Sequence, residues 1–429
     1  MLFKNISILD ENLTLRENMY VGIKGERIDY IGTELPLDAD LYGVTYDGKG
    51  KLLMSAFYNT HAHSPMTLMR GYGEGLSLSD WLNTKIFPFE DHHDSHSIYW
   101  GTMLAMAESL ATGIVSSSDM YSFCDDEARA VIDSHAKMNI SRGVVHFGGD
   151  VYTSERYTES VDLIKAFPHA AQGRVIAEAS MHAEYTSNPE MVEAIAKLAK
   201  DTGSQMHVHL SETKSEHEAC KEKYGKTPAK YFLDLGLFDV PTTAAHCVWL
   251  EDEDFDILAS KGVTVATNPV SNMKLASGIA NVPEMMKRGI NVGLGTDSVS
   301  SNNSLNFFEE MKILSLAGKV RSLDPTVLTP DEVLKIATIN GAKAQGRPDC
   351  GALKLGNKAD LIVVNVDAPH MCPIHDIKAN LVFSATASDV VLTMVDGEVV
   401  YKDGDFLTID IEKTKAENIK AVNRILGEL

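Results

Sequence analysis

The sequence predicts an α/β protein in which a (β/α)8 TIM barrel carries a small β-sandwich domain built from both chain ends. Three observations support this prediction. Both termini contain short alternating strands, eight apolar β-type runs follow one another in the middle, and helical patterns separate most of those runs. Strand–helix alternation favours parallel pairing, and eight such units in about 300 residues favour a closed barrel over an open sheet.

The two ends of the chain share a β-rich pattern. Alternation predicts strands near residues 5–9 and 19–23, an apolar strand covers 359–365, and 390–401 predicts a hairpin around an Asp-Gly turn. Because a different middle separates these ends, we expect them to assemble into one sheet domain. The predicted domains are residues 1–54 together with 355–429 for the β-sandwich, and residues 55–354 for the barrel.

Eight runs in the middle of the chain have the character of buried strands. They are predicted near residues 53–61, 113–119, 142–147, 174–182, 204–210, 242–247, 263–268 and 291–297. The segment 189–201 illustrates the intervening helices, because Met191, Ile195 and Leu198 fall on one helix face. Barrel enzymes place their active sites at the carboxyl ends of the strands, so polar residues there are the first candidates for function.

Charge and cysteine content limit the classes of function. The net charge of −21 repels nucleic-acid phosphates and anionic lipid headgroups, so we expect neither nucleic acid nor membrane as a partner. The five cysteines are scattered without a C-x-x-C pair, which favours free thiols in a reducing compartment. No signal peptide is apparent, and no window approaches the ~20 apolar residues of a membrane helix. We therefore expect a cytoplasmic protein.

The first chemical signal is His61-Ala62-His63, at the end of the first predicted barrel strand. Residues two apart on a strand point the same way, so both imidazoles would face the barrel mouth. That geometry suits a metal such as zinc. Alone, the pair is a weak signal, because two ordinary surface or core histidines are the more common reason for this pattern.

Three further predicted strand ends carry polar residues. The fifth ends in His209 and is followed by Glu212, the sixth ends with His246, and the eighth ends with Asp297. Imidazoles and a carboxylate that converge on one barrel rim are costly to bury unpaired. A bound metal would satisfy them.

Taken together, these motifs resemble the amidohydrolase superfamily. The similar branch is that of the 5-methylthioadenosine/S-adenosylhomocysteine deaminases, which lies beside the triazine-ring hydrolases. The resemblance covers essentially the whole chain. The matching segments are 59–63, 66–71, 209–213, 245–248, 268–269, 271–272, 295–297 and 301–305. As a set, these motifs are more specific for the branch than for the substrate.

The resemblance implies a metal cofactor. His61, His63, His209 and Asp297 would bind one divalent ion per chain, and Zn²⁺ is the expected ion. Members with two metals use a carboxylated lysine at the end of the fourth strand, and the predicted fourth strand contains no lysine. A metal lowers the pKa of its water to about 7, so the implied nucleophile is a metal-bound hydroxide that attacks a ring carbon.

The resemblance also assigns catalytic roles. Asp297 and His246 would orient the attacking hydroxide and take its proton. Glu212 would protonate a ring nitrogen of the substrate, and Glu212 or Asp297 would then pass the proton to the departing amine. This is general acid–base catalysis beside a Lewis acid.

Four further residues are implied to bind substrate together with Glu212. Glu90 matches a carboxylate that holds ribose hydroxyls, and Trp81 lies in the same segment. His182 would meet the purine, and Arg142 would meet an anionic tail. Each has a structural alternative, such as a core aromatic for Trp81, a satisfied rim histidine for His182 and a structural salt bridge for Arg142.

The function predicted first is hydrolytic deamination of an adenine nucleoside, such as 5-methylthioadenosine, S-adenosylhomocysteine or adenosine. The alternative is hydrolysis of another amino- or chloro-substituted N-heterocycle, such as a guanine, pterin or triazine. A more remote alternative is a non-catalytic barrel scaffold. We expect a homo-oligomer, either a dimer or a tetramer. The sequence leaves open whether Arg156 supplies a second contact to an anionic tail, because its spacing does not match the relatives cleanly.

Overall fold

Seventeen strands form two sheets in the computed structural model, which describes residues 1–429. In chain order the strands are β1 (Leu2–Leu9), β2 (Leu15–Lys24), β3 (Arg27–Gly32), β4 (Thr45–Asp47), β5 (Lys51–Ser55), β6 (Phe57–Ala62), β7 (Ile114–Tyr121), β8 (Lys137–Arg142), β9 (Val175–Met181), β10 (Met206–Leu210), β11 (Thr242–His246), β12 (Thr264–Thr267), β13 (Val292–Leu294), β14 (Leu361–Asn365), β15 (Val390–Val395), β16 (Glu398–Lys402) and β17 (Asp405–Phe406). The barrel contains β6 to β13, and the terminal sheet contains the other nine strands.

Sixteen α-helices surround these sheets. In chain order they are α1 (Leu78–Trp81), α2 (Phe87–Glu90), α3 (Ser95–Ala111), α4 (Cys124–Ser134), α5 (Glu155–Ala166), α6 (Pro189–Thr202), α7 (Lys214–Tyr224), α8 (Pro228–Asp234), α9 (Asp252–Lys261), α10 (Pro269–Lys274), α11 (Val282–Lys287), α12 (Phe307–Ser322), α13 (Pro330–Ala337), α14 (Ile339–Ala344), α15 (Ile377–Phe383) and α16 (Ile411–Glu428). None of the helices is long and apolar enough to cross a membrane.

The predicted eight-stranded parallel barrel is confirmed. Its strands pair in sequence order from β6 to β13, and every pairing is parallel. The barrel closes where Ala62 forms a parallel bridge with Asp297, since the Asp297 amide donates to the His61 carbonyl over 3.0 Å. Closure therefore joins two predicted metal ligands through the backbone.

The terminal sheet combines both chain ends, as the sequence predicts. Its order is β17-β16-β15-β14-β5-β1-β2-β3, with β4 beside β1. Its apolar core is formed by side chains from the two ends, among them Phe3, Val21, Leu53 and Leu392. The chain passes from this sheet into the barrel at Ala56, between β5 and β6.

A buried ion cluster joins the terminal sheet to the base of the barrel. The Lys137 ammonium lies 2.6 Å from Asp360 Oδ2 and 2.7 Å from Asp396 Oδ1, and the Tyr58 hydroxyl donates to Asp360 over 2.6 Å. Lys137 begins β8, and Asp360 directly precedes β14. We call Lys137, Asp360 and Asp396 the basal ion cluster.

The third barrel strand was predicted at the wrong residues. It spans Lys137–Arg142 rather than 142–147, so Arg142 ends the strand instead of beginning it. Lys137 and Asn139 are both buried in this strand. Because these two residues are polar, the strand lacks the apolar pattern by which a buried strand is predicted. The more apolar run around Val144 follows the strand as a connecting segment. The polar strand is stable because its buried side chains have partners, such as the carboxylates that contact Lys137.

Candidate active site

The carboxyl ends of β6, β10 and β11 and the segment after β13 meet at one end of the barrel. One side-chain ligand atom from each of His61, His209 and His246 lies within 4.8 Å of the other two, and the same holds for His61, His63 and Asp297. Asp297 Oδ1 is 3.5 Å from His61 Nε2 and 3.3 Å from His63 Nε2. The Nε2 atoms of His63 and His209 are 3.4 Å apart. The four residues predicted as metal ligands therefore lie together.

Each of these histidines is oriented through its other ring nitrogen. His63 Nδ1 lies 2.7 Å from the Met120 carbonyl, and His209 Nδ1 lies 3.0 Å from the carbonyl of His182. A carbonyl only accepts hydrogen bonds, so Nδ1 carries a proton in both residues and Nε2 is the nitrogen that faces the cluster. His61 Nε2 is buried without a hydrogen-bond partner. Three imidazole nitrogens and one carboxylate oxygen are a donor set that suits zinc.

Asp297 is held by two serines and two histidines. Its Oδ2 accepts hydrogen bonds from Ser271 Oγ (2.6 Å) and Ser301 Oγ (2.9 Å), which leaves Oδ1 directed at the histidines. Burial raises the pKa of this carboxyl, but the contacts with His61 and His63 outweigh burial and hold the pKa well below its usual range. Asp297 is therefore ionised.

The backbone turns sharply at three of these sites. Ser211, His246 and Asp297 have φ angles of 48°, 72° and 59°, a region that non-glycine residues rarely occupy. Such conformations persist where the surroundings fix them, and they are frequent at functional sites. Here they redirect the chain at the barrel rim, where Glu212 directly follows Ser211.

Glu212 and His246 form a second pair beside the metal ligands. Glu212 is 7% exposed, and its Oε2 lies 3.9 Å from His246 Nε2. His246 Nδ1 lies 2.8 Å from the amide oxygen of Asn272 and 3.2 Å from Nδ2 of Asn268, so these two amides hold the ring and Nε2 faces Glu212. Burial, with a contribution from the charge of Asp297, raises the pKa of Glu212. Glu212 can therefore hold a proton at a higher pH than an ordinary carboxyl group.

His182 and Glu90 lie at the same end of the barrel. The His182 ring centroid is 4.8 Å from that of His209, and burial with neighbouring cationic groups lowers the pKa of His182 to about 3. This imidazole is therefore neutral. Glu90 ends α2, and its Oε1 accepts a hydrogen bond from the Tyr121 hydroxyl over 2.7 Å. Burial raises the pKa of Glu90, and the charges of His63 and Arg156 oppose that rise.

The two arginines differ in their bonding. Arg142 is paired with Glu159 and donates to the carbonyls of Tyr121 and Gly143 over 3.2 and 3.1 Å. No hydrogen bond or ion pair engages the guanidinium of Arg156. Burial and the charge of Arg142 lower the pKa of Arg156, and the negative charge of Glu90 acts in the opposite direction. The structural alternative for Arg142, a salt bridge, is thus present, while Arg156 has free donors.

Trp81 lies in an apolar cluster instead of standing free at the barrel mouth. It is 7% exposed and packs in one cluster with Met69, Ile86 and Phe89. This cluster also contains Ile425 of α16. Most of the indole therefore serves packing, and any contact with a ligand involves the remaining edge.

Several residues of the site escaped the sequence reasoning. Ser271 and Ser301 bind Asp297, Asn272 orients His246, and Tyr121 donates to Glu90. Ser271, Asn272 and Ser301 lie within the motif segments that carry the family resemblance, so the sequence contained a signal for them. Tyr121 lies at the end of β7 and has no motif around it.

Fold and site together define a barrel protein with a histidine-rich centre suited to a metal ion. Residues 52–400 match the amidohydrolase family, and the chain belongs to that family. The match spans the whole barrel and part of the terminal sheet, so it rests on more than the site alone.

Relatives of known name are similar over nearly the whole chain. A 5'-deoxyadenosine deaminase of Methanosarcina mazei is 39% identical over 409 residues, covering 95% of this chain and 94% of the relative. A 5-methylthioadenosine/S-adenosylhomocysteine deaminase of Caldanaerobacter subterraneus is 39% identical over 432 residues, covering 100% and 99%. Among solved structures, an adenosine deaminase from Xanthomonas campestris with bound zinc superposes with a TM-score of 0.92 at 26% identity, covering 99% and 98%.

Proposed function

We propose that the protein is a metal-dependent aminohydrolase that converts an adenine nucleoside and water into the corresponding inosine nucleoside and ammonia. The observation that carries this proposal is the placement of Glu212. This buried carboxyl with a raised pKa lies beside His246 and next to a cluster of metal-binding side chains. The relatives named as deaminases of adenine nucleosides support the same chemistry.

The metal centre would hold one zinc ion per chain. His61, His63, His209 and Asp297 would provide its ligands, because Asp297 Oδ1 lies 3.5 and 3.3 Å from the Nε2 atoms of His61 and His63 and the Nε2 atoms of His63 and His209 are 3.4 Å apart. When bound, the metal lowers the pKa of a water molecule and so supplies a nucleophile near neutral pH. The fourth strand, β9, contains no lysine, which favours one ion over two.

Glu212, His246 and Asp297 would carry out the proton transfers of the reaction. Glu212 is protonated before the reaction and donates to a ring nitrogen, which makes the adjacent ring carbon electrophilic. His246 and Asp297 accept the proton released by the attacking water. That proton passes to the departing amine as the carbon–nitrogen bond breaks, and the proton of the added hydroxyl returns to Glu212 as the carbonyl forms. One adenine nucleoside and one water therefore give one inosine nucleoside and one ammonia, and Glu212 is protonated again. Proton transfers of this kind contribute about 10²–10⁴-fold to rate.

The sugar would be recognised by Glu90. Tyr121 donates to Glu90 Oε1, and carboxylate oxygens retain further lone pairs for two vicinal hydroxyls. The neutral His182 ring beside His209 would contact the purine. We assign Trp81 a minor share in this contact because its indole is largely buried.

The bonding of the two arginines predicts a preference for a short neutral 5' substituent. Arg142 already donates to Glu159 and to two carbonyls. Of the two arginines, Arg156 is therefore the one whose guanidinium N–H groups remain free to bind a carboxylate. One guanidinium can bind a carboxylate bidentately, but it makes only half of the contacts that two arginines would make. We therefore expect 5'-deoxyadenosine and 5-methylthioadenosine to be processed at least as well as S-adenosylhomocysteine.

A comparison of ammonia release from those three nucleosides, free adenine, guanine and a triazine tests the proposal. Nucleosides should exceed free adenine by far in kcat/KM, because free adenine would forfeit the charge-assisted hydrogen bonds of the ribose hydroxyls to Glu90, each worth about 1.5–3 kcal/mol. A higher rate with guanine or a triazine would contradict the nucleoside assignment.

The arginine assignment has its own test. A preference for S-adenosylhomocysteine above tenfold, or about 1.4 kcal/mol, would contradict the predicted tail specificity. Arg156→Met should lower activity on S-adenosylhomocysteine and spare 5-methylthioadenosine. Arg142→Met is the matched control and should affect both nucleosides alike.

A further inference from the structure

A line of buried polar side chains runs from the metal cluster down the inside of the barrel. His61 Nδ1 lies 2.9 Å from His207 Nε2, and His207 Nδ1 lies 3.9 Å from Glu178 Oε2. Asn139 Nδ2 donates to Glu178 Oε1 over 2.6 Å, and Arg347 donates to Asn139 Oδ1 over 3.0 Å. We call these five residues the axial chain.

The position of the axial chain is unusual for this fold. Barrel interiors are generally filled by layers of branched apolar side chains, and buried polar groups destabilise a protein unless they find partners. The members of the axial chain come from β6, β8, β9 and β10 and from the segment after α14, and all are at most 7% exposed. Apolar side chains would fill the same volume without needing hydrogen-bond partners, so packing alone does not explain the axial chain.

The donors and acceptors of the axial chain give it a direction. A guanidinium can only donate, so Arg347 fixes the amide oxygen of Asn139 toward itself and turns the Asn139 NH₂ toward Glu178. Glu178 then accepts on Oε1 and faces His207 Nδ1 with Oε2. His207 Nδ1 is buried without a hydrogen-bond partner, and the Glu178 carboxylate faces it at 3.9 Å, beyond hydrogen-bond length. The negative charge on that side favours the tautomer of His207 with its proton on Nδ1.

The same logic continues to the metal cluster. With its proton on Nδ1, His207 presents Nε2 as an acceptor to His61. His61 then carries its own proton on Nδ1, and its Nε2 lone pair is left open toward His63, His209 and Asp297. The other tautomer of His61 would direct an N–H at the metal and would leave Nδ1 and His207 Nε2 facing each other as two acceptors.

We propose that His207 and Glu178 are positioning residues that hold His61 in its metal-binding tautomer and thereby set the affinity of the metal centre. This inference rests on the metal centre of the proposed function. Partners behind metal-binding histidines typically contribute 10–100-fold to metal affinity.

Zinc titration of the metal-free protein against a competing chromophoric chelator tests this role directly. Glu178→Gln is the sharpest variant, because it keeps the size of the side chain. Asn139 would hold the new amide oxygen, so the new NH₂ would face His207 and favour the opposite tautomer. We expect zinc affinity to fall about 10–100-fold.

His207→Leu should cause a similar loss, because it removes the acceptor for His61 Nδ1. His207→Gln can return an acceptor oxygen to His61 and should recover most of the affinity. His146→Leu is the matched control, since His146 is also buried but lies outside the axial chain. Its zinc affinity should equal that of the wild type.

The outcomes separate this inference from the proposed function. If the wild type binds no zinc, the metal centre itself is refuted. If the wild type binds zinc and Glu178→Gln binds it within threefold as tightly, the positioning role is refuted. An equal fall in zinc affinity in Glu178→Gln and in the control His146→Leu would also refute it, because general loosening of the barrel would then explain the loss.

Discussion

The two ends of the barrel both bury charged side chains, but they do so in opposite ways. At the base, the Lys137 ammonium lies between the carboxylates of Asp360 and Asp396, and opposite charges satisfy each other. At the rim, the Nε2 atoms of His61, His63 and His209 converge on the same small volume. His61 Nε2 there is buried without a hydrogen-bond partner.

This difference shows how one physical rule gives two results. A buried polar group destabilises a protein unless it is paired. Pairing inside the chain, as in the basal ion cluster, joins the terminal sheet to the barrel and serves stability. At the rim the pairing is incomplete, and this makes the binding of a metal cation favourable. Changes at the rim should therefore reduce function, and changes at the base should reduce stability.

The largest effect is expected at the metal cluster. His209→Ala removes one imidazole ligand from the centre, so zinc content and ammonia release should both fall to background. The melting temperature of the metal-free protein should stay close to that of the wild type. Elemental analysis with a thermal melt of the metal-free form checks this. Stoichiometric zinc in His209→Ala would contradict its role as a ligand.

Glu212→Gln should separate metal binding from catalysis at the same rim. The substitution keeps the shape of the side chain but removes its transferable proton, so we expect kcat to fall by about 10²–10⁴. Zinc content should not change. Steady-state kinetics and elemental analysis on one preparation measure both quantities, and near-normal turnover would refute the role of Glu212 as a proton donor.

Lys137→Met tests the base of the barrel. Removing one partner of a buried ion pair leaves carboxylates uncompensated and typically costs about 3–5 kcal/mol. Chemical denaturation should show this loss, while kcat/KM per folded molecule should remain that of the wild type. Lys165→Met is the control, because Lys165 is 71% exposed, and its effect should stay within about 0.5 kcal/mol. A selective loss of kcat/KM in Lys137→Met would break the contrast between rim and base.

The same contrast explains what could be predicted from the sequence. The ends of β6, β10 and β11 were predicted well because apolar runs end there in histidine, and strand parity places His61 and His63 on one face. The strand β13 ends at Leu294, three residues before the predicted end at Asp297. The strand β8 was misplaced because Lys137 and Asn139 are buried in it. Their partners, Asp360 and Arg347, lie more than 200 residues away, and no local pattern reveals such pairing.

The axial chain illustrates a second limit. His207 lies two residues before His209 on the same strand, and its local sequence shows nothing that distinguishes it from a structural histidine. Its significance depends on the 2.9 Å contact with His61, which joins strands 146 residues apart. Motifs report the side chains that meet the substrate or metal, whereas the groups that orient them are found only through the fold.

The smallest expected effect concerns two carboxyl groups at the rim itself, in the segments that follow β9 and β10. Glu216 accepts the backbone N–H groups of Glu212 and Thr213 on Oε2 at 2.9 and 3.2 Å, and it lies beside Glu184, whose two oxygens are buried without hydrogen-bond partners. Burial, with the charge of Glu212, raises the pKa of Glu216 to about 7 from its ordinary value of 4.5. Burial and the neighbouring Glu216 also raise the pKa of Glu184 well above 4.5.

These shifts fix the sign of a pH effect on stability. Between pH 4.5 and the raised pKa values, the folded state binds more protons at Glu184 and Glu216 than the unfolded state, so stability falls as pH rises through that window. Glu184→Gln removes one titrating group and keeps a permanent donor beside Glu216. The melting temperature of the variant minus that of the wild type should therefore increase from pH 5 to pH 8, by about 2 °C. Glu11→Gln, at an exposed turn, should give a difference that does not depend on pH. A difference for Glu184→Gln that is equally flat would mean that the two carboxyl groups share no proton, and Glu216 would then hold the Glu212 backbone as an ordinary ionised cap.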